Sequence, residues 1–162
     1  MRYITPATTD HIPLIRKLAQ RIWPAAYRNI LLPEHIENML ASIYSEENLA
    51  EEMRSDHRFW IIYEENVPSG YASAFKEEHT IWIKKLYVDL GNQRGGLGSA
   101  LMQQAIRDLS PASEVKLLVN KNNIPAQNFY EHIGFTLCGE TPVKMGDYEF
   151  CDHIYSRTLT TK

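Results

Sequence analysis

Leu86-Tyr87-Val88-Asp89 runs toward Gln93-Arg94-Gly95-Gly96-Leu97-Gly98-Ser99, and the fold is decided at this junction. Ile81 to Asp89 is rich in branched and aromatic residues and reads as a strand, broken at Gly91 and Asn92. After the glycines, Leu97, Leu101, Ala105 and Leu109 return at helical spacing, Pro111 and Ser113 close the segment, and Val115 to Val119 form an apolar strand. Strand, glycine loop, helix, strand is a crossover unit. Glycines without a Cβ let several backbone N–H groups converge on one anion, and the helix N-terminus adds a favourable dipole, so a phosphate-bearing ligand is implied. A tight strand-to-helix turn would use the same glycines, and the loop alone leaves both readings open.

Downstream, Ala126, Phe129, Tyr130 and Ile133 share one helical face, with Asn123 to cap the helix, Pro125 in its first turn and Gly134 to end it. Strands are predicted at Phe135 to Cys138 and Tyr148 to Leu159, with Gly146 and Asp147 near the turn between them. Upstream, Phe59 to Tyr63 and Tyr71 to Phe75 form an antiparallel hairpin around a turn at Glu64 to Gly70. A strand at Arg2 to Pro6 opens the chain. A helix follows through Ile12, Ile15, Leu18, Ala19 and Ile22, with Thr9 and Asp10 available as caps. Pro24 and Pro33 punctuate the next stretch, a second helix carries Ile36, Met39, Leu40 and Ile43, and Ser45 to Arg54 is a candidate short third. The expectation is an α/β (α+β) fold, a mixed and mostly antiparallel sheet of about seven strands flanked by about four helices.

The 162 residues are 44% hydrophobic and 23% charged, enough apolar material for one sizeable core, and a single domain over residues 1–162 is expected. A formal net charge of -3 offers no basic footprint for nucleic acid. No apolar run reaches the roughly 20 residues of a membrane span, and the N-terminus lacks signal-peptide order. With only Cys138 and Cys151, both expected as thiols, a cytoplasmic location and no membrane partner are expected.

Two nucleotide loops fail against the junction. A dinucleotide fingerprint needs a third small residue where Leu101 stands, and a Walker loop needs Lys after its last glycine where Ser99 and Ala100 follow Gly98. The stretch Gln93-x-x-Gly96-x-Gly98 instead resembles the acetyl-coenzyme A loop of the GNAT superfamily of N-acetyltransferases: Gln or Arg, two residues, Gly, one residue, Gly or Ala. Leu86-Tyr87-Val88-Asp89 is similar to that family's central strand. Val119-Asn120-x-x-Asn123-x-x-Ala126-x-x-x-Tyr130-x-x-x-Gly134-Phe135 is similar to its second signature. Residue-level likeness covers about Leu86 to Phe135, and likeness in element order extends over nearly the whole chain.

The resemblance implies a GNAT-like fold and acetyl-coenzyme A as co-substrate. By that resemblance, Gln93 would open the coenzyme-binding loop, and the backbone amides of Arg94, Gly95, Gly96, Leu97, Gly98 and Ser99 would hold the pyrophosphate. Leu86, Tyr87 and Val88 would hydrogen-bond the pantetheine, Asn123 would contact the coenzyme near its thiol end, and Tyr130 would serve as general acid to the leaving thiolate. Read from its helix alone, on the apolar face shared with Ala126, Phe129 and Ile133, Tyr130 is a core tyrosine first; the surrounding signature is what puts the functional role ahead. No general base is assigned: Glu64, Glu65, Glu77 and Glu78 lie on turns, although Glu77, Glu78 and Asp152 are placed to line an amine's approach if the last hairpin folds beside the central strand.

Asp152 ahead of a hydrophobic strand, and Trp23 to Tyr27 with Leu31-Leu32-Pro33-Glu34, are similar to features of polyamine- and peptide-type members; Trp23 and Tyr27 fit core and substrate wall equally. The six histidines show no zinc-ligand spacing, and strand alternation sends Asp152 away from Cys151 and His153, so no metal is expected. The expected partner is a small cationic amine, with no nucleic acid, and pairing with a second copy as a homodimer is left open. Rival readings are a coenzyme-binding regulatory module without turnover, an interaction scaffold with an empty site, and a peptide or protein amine acetyltransferase.

Overall fold

The computed structural model describes residues 1–89, 95–145 and 147–160. The chain runs β1 (Arg2–Ala7), a 3-10 turn (Thr9–His11), α1 (Ile12–Ala26), α2 (Pro33–Ile43), α3 (Glu46–Arg54), β2 (Arg58–Glu64), β3 (Val67–Glu77) and β4 (Thr80–Val88). It continues through α4 (Leu97–Leu109), β5 (Glu114–Asn120), α5 (Ile124–His132), β6 (Thr136–Met145) and β7 (Tyr148–Thr158). The seven strands make one sheet in the order β1-β2-β3-β4-β5-β7-β6. Only β4 and β5 pair in parallel, joined by the α4 crossover that the glycine junction predicts. The short helix over Ser45 to Arg54 does form: the Ser45 hydroxyl accepts from Asn48 N at 3.0 Å, and five α-helices flank the sheet.

Local chemistry moves several boundaries. Thr8, rather than Thr9 or Asp10, caps the first helical segment, accepting from Asp10 N while the His11 ring takes the Thr8 N–H. Pro24 does not stop α1, because it falls in the last turn before the helix ends at Ala26. The predicted turn at Glu64 to Gly70 shrinks to Glu65 and Asn66, both at positive φ, and β3 already begins at Val67. A register slip at Ile62 and Tyr63 absorbs the extra residue in β3. β6 extends to Met145 because β7 pairs with it as far as Met145 opposite Tyr148. The breaks predicted at Gly91 and Asn92, and Gly146 in the last turn, lie outside the described residues.

Two apolar layers cover the sheet. α1, α2 and α3 bury Ile15, Leu18, Ile22 and Leu49 against Phe59, Ile61 and Tyr71. On the opposite face α4 and α5 pack Leu101, Met102, Ala105 and Tyr130 against Trp60, Ile62, Ile81, Ile83, Val115 and Leu117.

A slip in the β3–β4 ladder then redirects β4. Ala74 faces Ile83 but Ser73 faces Lys85, so Lys84 is the extra residue and the side-chain alternation reverses. Ile81 and Ile83 point to the α4 layer; beyond the bulge it is Leu86 and Val88 that do so, while Tyr87 joins the α1 layer. Lys85 is carried inward with Tyr87, to 4% exposure, and pairs with Glu52 at 2.6 Å.

Candidate active site

The bulge marks the place where the sheet opens. β4 and β5 pair only from Thr80 opposite Glu114 to Ile83 opposite Leu117, yet β4 runs on to Val88 and β5 to Asn120. Over this stretch β4 keeps β3 on its outer edge and β5 keeps β7. The inner edges of Leu86 to Val88 and Leu118 to Asn120 therefore face each other across a cleft with backbone groups free to bind an extended polar chain. Gly70 lets β3 follow β4 to the cleft, since a Cβ there would stand 2.7 Å from the Tyr87 carbonyl oxygen.

α4 starts at the same end. Gly96 is its N-cap at φ 99°, no side chain caps the helix, and the first turn closes with Ala100 N donating to Gly96 O at 2.9 Å. The N–H groups of Leu97, Gly98 and Ser99 thus have no acceptor within the helix, the arrangement an anion needs. Beside Gly95 there is open space, where an added Cβ would meet nothing within 4 Å. Gly98 has a different duty: a Cβ there would press on Phe129 Cζ at 3.2 Å, so its glycine lets α4 pack on α5. Leu97 is buried, and Gln93 and Arg94 lie outside the described residues.

α5 brings Tyr130 to the cleft. Asn123 caps the helix by accepting from Ala126 N at 3.3 Å, which spends its carbonyl oxygen and leaves its NH2 unbonded among the described residues. The Tyr130 ring meets Phe129 and Phe135 edge to face, while its hydroxyl makes no hydrogen bond to a described residue. From the opposite layer, Tyr27 on α1 and Tyr87 on β4 share a hydrogen bond of 2.9 Å. Burial pushes all three phenols above the ordinary tyrosine value; Tyr27 adds to the rise at Tyr130, and Tyr130 to that at Tyr87. These mutual influences place the three phenols near one another at the end of the sheet where β4 and β5 part.

A family model described as "Acetyltransferase (GNAT) domain" matches residues 28–148 of the chain. The chain belongs to the GNAT acetyltransferase family. It is similar to uncharacterised N-acetyltransferases of Mycobacterium tuberculosis and Mycobacterium bovis, 27% identical over 146 residues that cover 88% of this chain and 94% of each relative. Its fold is shared by the solved structure of the PaiA N-acetyltransferase from Thermoplasma acidophilum in complex with coenzyme A, with TM-score 0.84, 19% identity and coverage of 98% of this chain and 99% of that one. The ribosomal-protein-S18-alanine N-acetyltransferase of Escherichia coli shares it at TM-score 0.75 and 19% identity, over 100% of this chain and 96% of that one.

Within this GNAT acetyltransferase the acidic candidates separate. Glu77 and Glu78 sit where β3 turns into β4, ten and nine residues before Tyr87 and about 26 Å from the far end of β4, so they do not line the cleft. Glu64 accepts from Arg2 at 2.6 Å, and Glu65 pairs with the terminal ammonium of Met1. Asp152 is the carboxylate that faces the cleft region, on the α1 side of β7, and Tyr27 feels its charge. His153 points the other way, to Gln127 on α5 at 3.1 Å. Both cysteines are free, and no group of three or more metal-ligating side chains occurs among the described residues. Among the described residues no helix is long and apolar enough to cross a membrane.

Trp23 proves a core residue of the acetyltransferase, its indole N–H donating to the Tyr44 hydroxyl at 3.2 Å, which also accepts from Tyr71 at 2.6 Å. Tyr27, one turn on, is partly buried against the same layer and bonds Tyr87 on the β4 segment that diverges from β5. The phenol of Tyr87 and the close approach at Gly70 are functional features that the sequence reading missed. The helical spacing of Trp23 and Tyr27 was a signal for the first residue pair only; nothing local links either to β4.

Proposed function

We propose that this chain, as one N-acetyltransferase domain, moves the acetyl group of acetyl-coenzyme A directly onto a primary amine, with Tyr130 protonating the leaving thiolate. The observation that carries this reading is the Tyr130 hydroxyl, unbonded at the mouth of the β4–β5 cleft. The uncapped N-terminus of α4, with Gln93 to Ser99 leading into it, suits a pyrophosphate. The free edge of Leu86 to Val88 suits the amide groups of a pantetheine arm, and the spare NH2 of Asn123 suits an acceptor group near its end. These residues fit a coenzyme A thioester, which supplies the activated acetyl group when bound.

Tyr130 suits the acid's part because burial keeps its phenol protonated through neutral pH and its hydroxyl is not spent on a hydrogen bond to a described residue. Placement of amine and thioester in line, with backbone donors on the carbonyl, supplies the remainder of the rate. The acceptor we infer is a small cationic amine, supported by the net charge of -3 and by Asp152 on the acceptor side. The two free thiols support a reducing, cytoplasmic setting.

The test is release of coenzyme A thiol from acetyl-coenzyme A with spermidine, benzylamine and a lysine-containing peptide offered separately. Turnover of the free amines is expected. Thiol release with the peptide alone would replace the small-amine acceptor, and coenzyme binding without release from any acceptor would make the chain a binding module.

A further inference from the structure

We propose that the Asp152 carboxylate receives the proton of the acceptor ammonium and thereby selects cationic amines, an inference that rests on the acetyl-transfer reading above. Its position follows from the ladder. Asn120 lies three residues beyond Leu117, the last β5 residue paired with β4, and Leu86 lies three beyond its partner Ile83. Asp152 is opposite Asn120, so it stands level with Leu86 and Tyr87, one strand beyond the cleft.

Alternation on β7 puts Tyr148, Phe150 and Asp152 on one face. Phe150 packs into the layer under α1 to α3, and the Tyr148 ring lies 3.7 Å from that of His35 on α2. The carboxylate thus occupies the acceptor side of the sheet, walled by aromatic rings that suit the apolar arm of an amine. Tyr27 links it to the chemistry, because its hydroxyl bonds Tyr87, it feels the charge of Asp152, and Tyr130 in turn feels Tyr27.

Asp152 is half-buried and makes no hydrogen bond or ion pair with a described residue. A carboxylate taken from water without a partner is held at a cost, and a bound ammonium removes that cost. Burial also raises its pKa, with His153 opposing the rise, which makes it a better proton acceptor than an exposed aspartate. Tyr27, after α1, and Cys151, beside it, both feel the charge of Asp152; Lys121 after β5 and Glu140 of β6 act on that Cys151 thiol, and His35 of α2 reaches the same face through Phe150.

The step balances. One N–H bond of the ammonium breaks and an O–H bond forms on Asp152; the freed lone pair makes the C–N bond to the acetyl carbon as the C–S bond breaks with its electrons on sulfur. Tyr130 gives its proton to the sulfur and regains one from the acetylated nitrogen, and Asp152 releases its proton to solvent.

The experiment measures kcat/KM for spermidine, benzylamine and methoxyamine, the last being neutral at pH 7, in the wild type, Asp152→Asn and Asp152→Ser, with acetyl-coenzyme A affinity by calorimetry. Two variants are used so that misfolding of one does not stand for the effect. For the two cations a loss of about 10²-fold or more is expected in each variant that folds, with coenzyme affinity unchanged and little loss for methoxyamine. The low-pH fall of kcat/KM, set in the wild type by protonation of Asp152, should give way in the variants to a rise with pH that follows the free amine. A folded variant that keeps cation turnover, or that loses methoxyamine equally, overturns the role of Asp152 alone. A wild-type protein that acetylates none of the three amines overturns the acetyl-transfer reading, and this inference with it.

Discussion

Tyr27 and Tyr87 are 60 residues apart in the chain and share a hydrogen bond of 2.9 Å, in a patch of the α1 layer that also feels Tyr130 from the α5 side. That proximity across the sheet accompanies two facts of β4: its bulge at Lys84 turns Tyr87 toward α1, and its divergence from β5 opens the cleft.

Tyr130→Phe removes one oxygen and leaves the ring contacts with Phe129 and Phe135 intact. Stability and acetyl-coenzyme A affinity should hold, while kcat falls by roughly 10²- to 10⁴-fold where chemistry limits turnover. Because burial raises this phenol above its ordinary value of 10.0, wild-type kcat should show no alkaline fall from Tyr130 between pH 7 and 9. Unchanged turnover in the variant would return Tyr130 to a packing role.

Gly95→Val adds a side chain into open space, so thermal stability should change little. Calorimetry should nonetheless show coenzyme affinity falling by at least tenfold, because the new side chain stands where a pyrophosphate approaches the N-terminus of α4. This variant separates binding from packing better than Gly98→Val, which would also collide with Phe129.

Gly70→Ala should destabilise the protein by about 1–3 kcal/mol in urea titration, since the new methyl meets the Tyr87 carbonyl with no room to relax. The displaced edge of β4 should also weaken coenzyme binding. Full affinity in a destabilised variant would mean that the β3–β4 spacing matters for stability alone.

His57 should make the protein acid-sensitive. Its ring stacks on Phe75 at 4.7 Å, and burial lowers its pKa below the ordinary 6.5. The unfolded chain then binds more protons than the folded one as pH falls below about 6.5, so stability is full above that value and is lost as pH falls toward the lowered pKa. The midpoint of thermal unfolding measured from pH 7.5 to 5 should drop, and His57→Gln should flatten the drop over that window.

The order of elements, the crossover helix, the cap at Asn123 and the stop at Gly134 were legible in the sequence because each depends on neighbours a few residues away: period, turn chemistry and the special backbone of glycine and proline. The glycine loop and the Tyr130 helix were legible for the same reason, as local patterns at fixed spacing. Boundaries at Pro24 and Val67 were not, since pairing and packing from distant segments outweighed the local breakers. The site itself was settled only by tertiary structure. One extra residue in β4 reversed a strand's alternation, which no periodicity reveals beforehand, and the cleft exists because β5 prefers β7 to β4 beyond Leu117. These two events sent Glu77 and Glu78 away, brought Tyr27 and Tyr87 together, and left Asp152 facing them without a partner.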